Sequence, residues 1–234
     1  MSNFEKTDEV LKQNYYVGRG ILAGQTKNSH DIFLAYMLTG RSENSKNRQL
    51  IKRDGKLITK VFDETKVEDP SLIIYTALCE YQNSLILTNG DQTDTIYENI
   101  KSGMPFELSL DEREFEPDPP IFTPRISMLV DFDKKTYKMS ILKSGDDVGS
   151  ICDRHFFSYR FLAGRGHFIH TYDTTSDRLR IYSSLPHSVE IPDDFEEFSQ
   201  AIWDNLNAQN KIALYTRKIS LKDKKIEEKL YNIH

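Results

Sequence analysis

The chain has 234 residues, of which 38% are hydrophobic and 29% charged, with a formal net charge of −5. These proportions describe a folded domain with a sizeable core rather than a disordered chain. The acidic balance speaks against nonspecific nucleic-acid binding, which needs a basic surface to release phosphate counterions, but it leaves room for a local basic pocket.

No apolar run approaches the ~20 residues of a membrane span, and the N-terminus shows no apolar core or cleavage site. Cys79 and Cys152 lie far apart and form no CxxC pair. A reduced, cytoplasmic protein with no membrane association is therefore expected.

Residues 1–14 read as an N-terminal extension, its first dozen residues disordered, ahead of a single domain over 15–234. Tyr15 to Ala23, Asp31 to Leu38, Leu72 to Tyr81 and Ser84 to Thr88 are rich in aromatic and β-branched residues and bounded by turn formers, so strands are predicted there. Leu85 to Thr88 empties into the polar run Asn89-Gly-Asp-Gln-Thr-Asp-Thr95. Thr95 and Glu98 have capping-box spacing, which predicts a helix over Thr95 to Lys101. On residue chemistry alone, an Asn-Gly turn with a capped helix explains this stretch slightly better than a site does.

Arg125 to Asp131 and Thr136 to Leu142 predict a hairpin across Asp133-Lys134-Lys135. His155 to Leu162, His167 to Tyr172 and Arg178 to Ser183 predict a second meander, with Thr174 to Asp177 as one of its turns. In Asp193 to Leu206, Phe195, Phe198, Ile202 and Leu206 recur at helical spacing, and a last charged helix is predicted over Leu221 to Tyr231. The sum is an α+β protein, mainly antiparallel.

Familiar chemistries are scarce. Gly18-Arg19-Gly20 with Gly24 misses the dinucleotide spacing. Cys152 and His155 supply only two metal ligands, and His167 and His170, three apart in a strand, point to opposite faces, so no metal site is expected.

Three segments have more content. Arg41 and Arg48 bracket a Ser/Asn-rich loop and suit a phosphate monoester, because a guanidinium fork binds two oxygens at once; a solvated loop is the plainer reading. Glu116 sits in a proline-stiffened segment between Phe115 and Pro117, an apolar setting that suits a general acid or base, or else an incidental surface acid. Tyr75 lies in an apolar strand, where a core residue is the ordinary reading.

Taken in order, Tyr16-Val-Gly-Arg19, Ala35-Tyr36, Arg41-Ser42, Asn47-Arg48, Tyr75, the run Thr88 to Ile96, Glu116-x-Asp118 and Thr123-Pro-Arg-Ile126 resemble the archaeal-type inosine monophosphate (IMP) cyclohydrolases and their bacterial relatives. The similarity runs from Tyr16 to Met128, then more weakly through His167 to Tyr172 and around Tyr215.

The resemblance implies a four-layer αββα sandwich like that of the N-terminal nucleophile hydrolases, without their nucleophile. It implies closure of 5-formamidoimidazole-4-carboxamide ribonucleotide (FAICAR) to IMP with loss of water, as the last step of purine synthesis. No cofactor or metal is required. The partner is a purine ribonucleotide, and the family implies a homo-oligomer.

By resemblance, Arg48, Tyr75 and Glu116 line the reacting end. Glu116 moves the proton or orients the amide, and Tyr75 with Arg48 donates to the formyl oxygen. Arg41 is the candidate for the 5′-phosphate, with Arg19 or Arg125. Asn89, Asp91, Thr93 and Asp94 would hold the ribose or the heterocycle edge, since two acids would repel a phosphate. A purine-nucleotide-binding protein without catalysis, or a hydrolase of a related cyclic amidine or amide, are the alternatives.

Overall fold

A computed structural model describes residues 4–66, 74–174 and 178–234. It is α+β, built of antiparallel sheets and few helices, and divides into two compact units, Met1–Leu50 with Phe161–His234, and Ile51–Arg160. No helix among the described residues is long and apolar enough to cross a membrane.

The first unit is organised on a six-stranded sheet. Its strands are β1 (Arg19–Gln25), β2 (Asp31–Thr39), β10 (Arg165–His170), β11 (His187–Glu190), β12 (Lys211–Ser220) and β13 (Ile226–Asn232), in the spatial order β11-β10-β1-β2-β12-β13. All of its paired neighbours are antiparallel. β2 is an almost unbroken apolar run, as a strand buried on both faces requires.

Leu22, Phe33, Ala35, Met37 and Leu214 share a core with helices α1 (Thr7–Gln13) and α4 (Phe195–Asn205). Asp194 caps α4 by accepting from the Glu197 N–H at 2.8 Å. Phe195 and Phe198 then meet the Phe33 ring at 5.3 and 5.1 Å. Each buried aromatic ring of this kind stabilises the unit by roughly 1.5–3 kcal/mol.

The second unit carries a seven-stranded meander. Its order is β3 (Arg48–Arg53), β4 (Lys56–Val61), β5 (Tyr75–Tyr81), β6 (Ser84–Thr88), β7 (Arg125–Asp131), β8 (Thr136–Ser144) and β9 (Cys152–Arg160), with β3 running across the division between units. Helix α3 (Gln92–Lys101) buries Ile96 in a core with Cys79, Ile86, Phe106, Leu110 and Leu142.

Several elements differ from the sequence reading. The first dozen residues are not disordered where described. α1 forms there because Val10 and Leu11 have a core to enter. The helix expected over Leu221 to Tyr231 is instead the strand β13. Ser220 to Lys225 turns the chain with Lys224 at φ 61°, and Ile226 then pairs with Ile219. Glu228 reaches Arg217 at 2.9 Å, and Tyr231 stacks on Trp203 at 5.4 Å. A run of charges suits the edge of a sheet as well as a solvated helix, and here pairing with β12 decides.

β1 begins at Arg19 rather than Tyr15, after Gly18 at φ +68°. Between Arg178 and Ser183 only an isolated bridge, Tyr172 to Ile181, forms, and His187–Glu190 takes the place beside β10. Of the strand expected over Leu72 to Tyr81, residues 72 and 73 lie outside the described residues, as do residues 175–177 of the expected turn Thr174 to Asp177. β3, β4 and β12 form where the sequence pattern predicts no strand. β6, the β7–β8 hairpin and α4 form as expected.

Candidate functional site

In the second unit, β6 ends at Thr88 and the polar run turns directly into α3. Asn89 is the clamp of this turn. Its Oδ1 accepts from the Ile126 N–H at 2.8 Å and from Gln92 Nε2 at 3.0 Å, while its Nδ2 donates to the Pro124 carbonyl at 2.8 Å. Thr93 Oγ1 shares a 2.6 Å hydrogen bond with Thr88 Oγ1 and donates to the Gly90 carbonyl at 3.2 Å. Asn89 and Thr93 are buried, and their side chains are engaged inside the fold. α3 starts at Gln92 rather than Thr95, so Thr95 and Glu98 fall inside it. Asp91 takes the N-cap position without capping, since its carboxylate is directed elsewhere.

That carboxylate meets two arginines. Asp91 Oδ1 lies 2.6 Å from Arg113 Nη2 and 2.6 Å from Arg125 Nη1. Arg125 Nη1 also donates to Gln92 Oε1 at 2.8 Å. Partial burial pushes the Asp91 carboxyl upward, but the two guanidiniums outweigh it and hold it below the usual carboxylate value. Arg113 is fixed in turn at its carbonyl, which accepts from Arg154 Nη2 at 2.9 Å. Asp94 is exposed.

Tyr75 opens β5 opposite Thr59 and is buried. Glu116 is only 4% exposed. Its N–H donates to the Thr123 carbonyl at 2.8 Å. Asp118 accepts from the Thr123 N–H at 2.7 Å and from its hydroxyl at 2.5 Å, which closes the proline-rich loop. Phe115 and Phe122 pack edge to face at 5.4 Å beside it.

In the first unit, Arg19 and Arg48 are buried and Arg41 is exposed. The Ser/Asn loop winds into the short helix α2 (Glu43–Lys46), whose Ser42 and Ser45 form a reciprocal cap. Arg48 donates through Nε to the Ser45 carbonyl at 2.7 Å and through Nη2 to the Thr39 carbonyl at 3.3 Å. Arg41 lies over the Tyr16 ring, 5.3 Å from its centroid.

Thus the structure joins Asp91 to Arg125 and Asn89 to Gln92. It separates Arg41, on its aromatic ring, from Arg48, which is bound to backbone carbonyls. Gln92 and Arg113 join the group without being among the residues expected from the sequence to bind a ligand. Gln92 lay in the polar run, but nothing local marks Arg113, 22 residues from its partner. No cluster of three or more His, Cys, Asp or Glu residues that could hold a metal occurs among the described residues.

These features define an α+β protein whose strand-to-helix turn brings a carboxylate and an amide together with two arginines from later in the chain. The model of the IMP cyclohydrolase-like protein family matches residues 16–224, and the chain belongs to that family. It is 32% identical over 125 residues to an IMP cyclohydrolase of Methanopyrus kandleri, covering 50% of this chain and 59% of the relative. It is also 32% identical over 120 residues to an IMP cyclohydrolase of Methanocella arvoryzae, covering 49% of this chain and 57% of that relative. In both cases the match spans less than two thirds of the relative's length.

Proposed function

We propose that the protein closes FAICAR to IMP, a purine ribonucleotide cyclisation carried out in the cytoplasm during purine synthesis. The observation that carries this reading is the family match across residues 16–224, which includes all ten candidate residues from Arg19 to Arg125. The four-layer αββα architecture and a homo-oligomeric assembly belong to the same reading.

The carboxamide nitrogen attacks the formyl carbon, forming a C–N bond and a tetrahedral carbinolamine. The formyl oxygen then leaves as water as the C–O bond breaks. The reacting groups belong to one molecule, so holding the reactive rotamer supplies much of the advantage, and donors to the formyl oxygen supply more.

Glu116 takes the proton from the amide nitrogen or orients it, from a loop whose backbone is pinned by Thr123. Tyr75, in the same unit as Glu116, donates to the formyl oxygen. Arg48, the further donor the family resemblance implies, is restrained by its bonds to the Ser45 and Thr39 carbonyls.

The test is to mix purified protein with FAICAR and follow the absorbance of IMP. Product formation at enzyme-dependent rates is expected. Tight IMP binding without turnover would replace this reading with that of a purine-nucleotide-binding protein. Absence of both turnover and binding would end it.

A further inference from the structure

Arg125 is only 5% exposed, yet its guanidinium is satisfied on one side alone. Nη1 is held by Asp91 at 2.6 Å and by Gln92 Oε1 at 2.8 Å. Nε and Nη2 meet no acceptor among the described residues, and neither is sealed away as a buried orphan. The Nε–Nη2 edge is the fork that binds two oxygens of an oxyanion side by side.

Gly90 is what lets the guanidinium sit there. A Cβ at that position would lie 2.4 Å from Arg125 Nη1 and 2.6 Å from Gln92 Oε1. Asp91, with a side chain 53% exposed, also gathers Arg113 to the same carboxylate oxygen. Two guanidiniums against one carboxylate leave one net positive charge at the start of α3, where the first peptide N–H groups add to the potential.

We infer that Arg125 is a bidentate oxyanion-binding residue that takes the phosphate monoester of the nucleotide, and that Asp91 and Gln92 are its positioning residues. Asp91 is then not a ribose contact. Like-charge repulsion from Asp91 does not bar phosphate from this turn, because that charge is spent on two arginines. Arg113 supplies the second positive charge. The nucleotide part of this inference rests on the proposed function; the oxyanion part does not.

The test is calorimetric titration of the full chain with IMP, with inosine and with inorganic phosphate. The variants are Gly90→Ala, which keeps every charge but displaces the guanidinium, and Arg125→Lys, which keeps the charge but removes the fork. Melting curves accompany each variant, and Arg125→Lys serves as the binding test if Gly90→Ala does not fold.

Wild type should bind IMP at least tenfold more tightly than inosine. Each variant should lose most of that difference while its inosine affinity stays the same. Asp91→Asn should weaken IMP binding less than Arg125→Lys does, because Gln92 remains.

Equal loss for IMP and inosine would place Arg125 at the base and overturn the phosphate assignment, as would no loss at all. If wild type binds neither nucleotide and does not turn over FAICAR, the functional reading falls. Inorganic phosphate binding that Gly90→Ala abolishes would then still support the oxyanion site, and absence of phosphate binding would overturn it.

Discussion

His170 offers the sharpest quantitative test of the first unit. Its ring is buried between Tyr182, at a centroid distance of 4.1 Å, Phe168 at 4.9 Å and His187 at 5.4 Å. Nδ1 lies 2.9 Å from the Tyr172 carbonyl and therefore carries the proton, while Nε2 is buried without a partner among the described residues. The Asn14 amide lies 3.5 Å from Nδ1, and the neighbouring His187 is itself met by Glu5 at 2.8 Å.

Burial first, and then the nearby His187, push the His170 pKa down to about 3. A folded pKa below the unfolded value of about 6.5 means that the unfolded chain binds the proton first as pH falls. Stability is therefore complete above about pH 7 and is lost progressively between about 6.5 and 3. At pH 5 the loss from this one ring is about 2 kcal/mol. His167, which burial lowers to about 4, acts with the same sign but is less enclosed and adds less.

Urea unfolding followed by the fluorescence of the single tryptophan, Trp203, reports on this unit. Wild type should lose at least about 2 kcal/mol between pH 7.5 and 5, and His170→Gln should remove about 2 kcal/mol of that loss, whatever its own stability at pH 7.5. Parallel pH profiles for wild type and His170→Gln would refute the reasoning.

Glu116→Gln and Tyr75→Phe should each lower the cyclisation rate by about 10²–10⁴ with unchanged circular dichroism, measured by IMP absorbance; wild-type turnover in either would remove that residue's role. Phe198→Ala deletes a ring packed on Phe33 and should cost about 3–5 kcal/mol in urea melts. Asp194→Ala removes the α4 cap and should cost about 1 kcal/mol, with loss of protection at the Glu197 amide in hydrogen exchange as the local signature.

What was legible in the sequence was what is decided within a few residues. The spacing of Phe195, Phe198 and Ile202 names one face of a helix whichever core it meets, and Asp194 stands where a cap must. The alternation through Arg125 to Leu142 names a hairpin, and Lys135 at φ 52° completes its turn. The ordered motifs from Tyr16 to Ile126 point to the family because they are local words in a fixed order. Tertiary structure decided the cases in which one local pattern has two solutions. Leu221 to Tyr231 has the charge pattern of a solvated helix, and only β12, with Arg217 waiting for Glu228, makes it an edge strand.

The candidate site divides in the same way. Asn89 to Asp94 announced a polar turn, but which of its side chains face outward depended on partners far along the chain. Pro124 and Ile126 draw Asn89 into the fold, while Arg113 and Arg125 claim Asp91. A carboxylate's charge is visible in a sequence; whether it is free to repel a phosphate is set by the cations that folding brings to it.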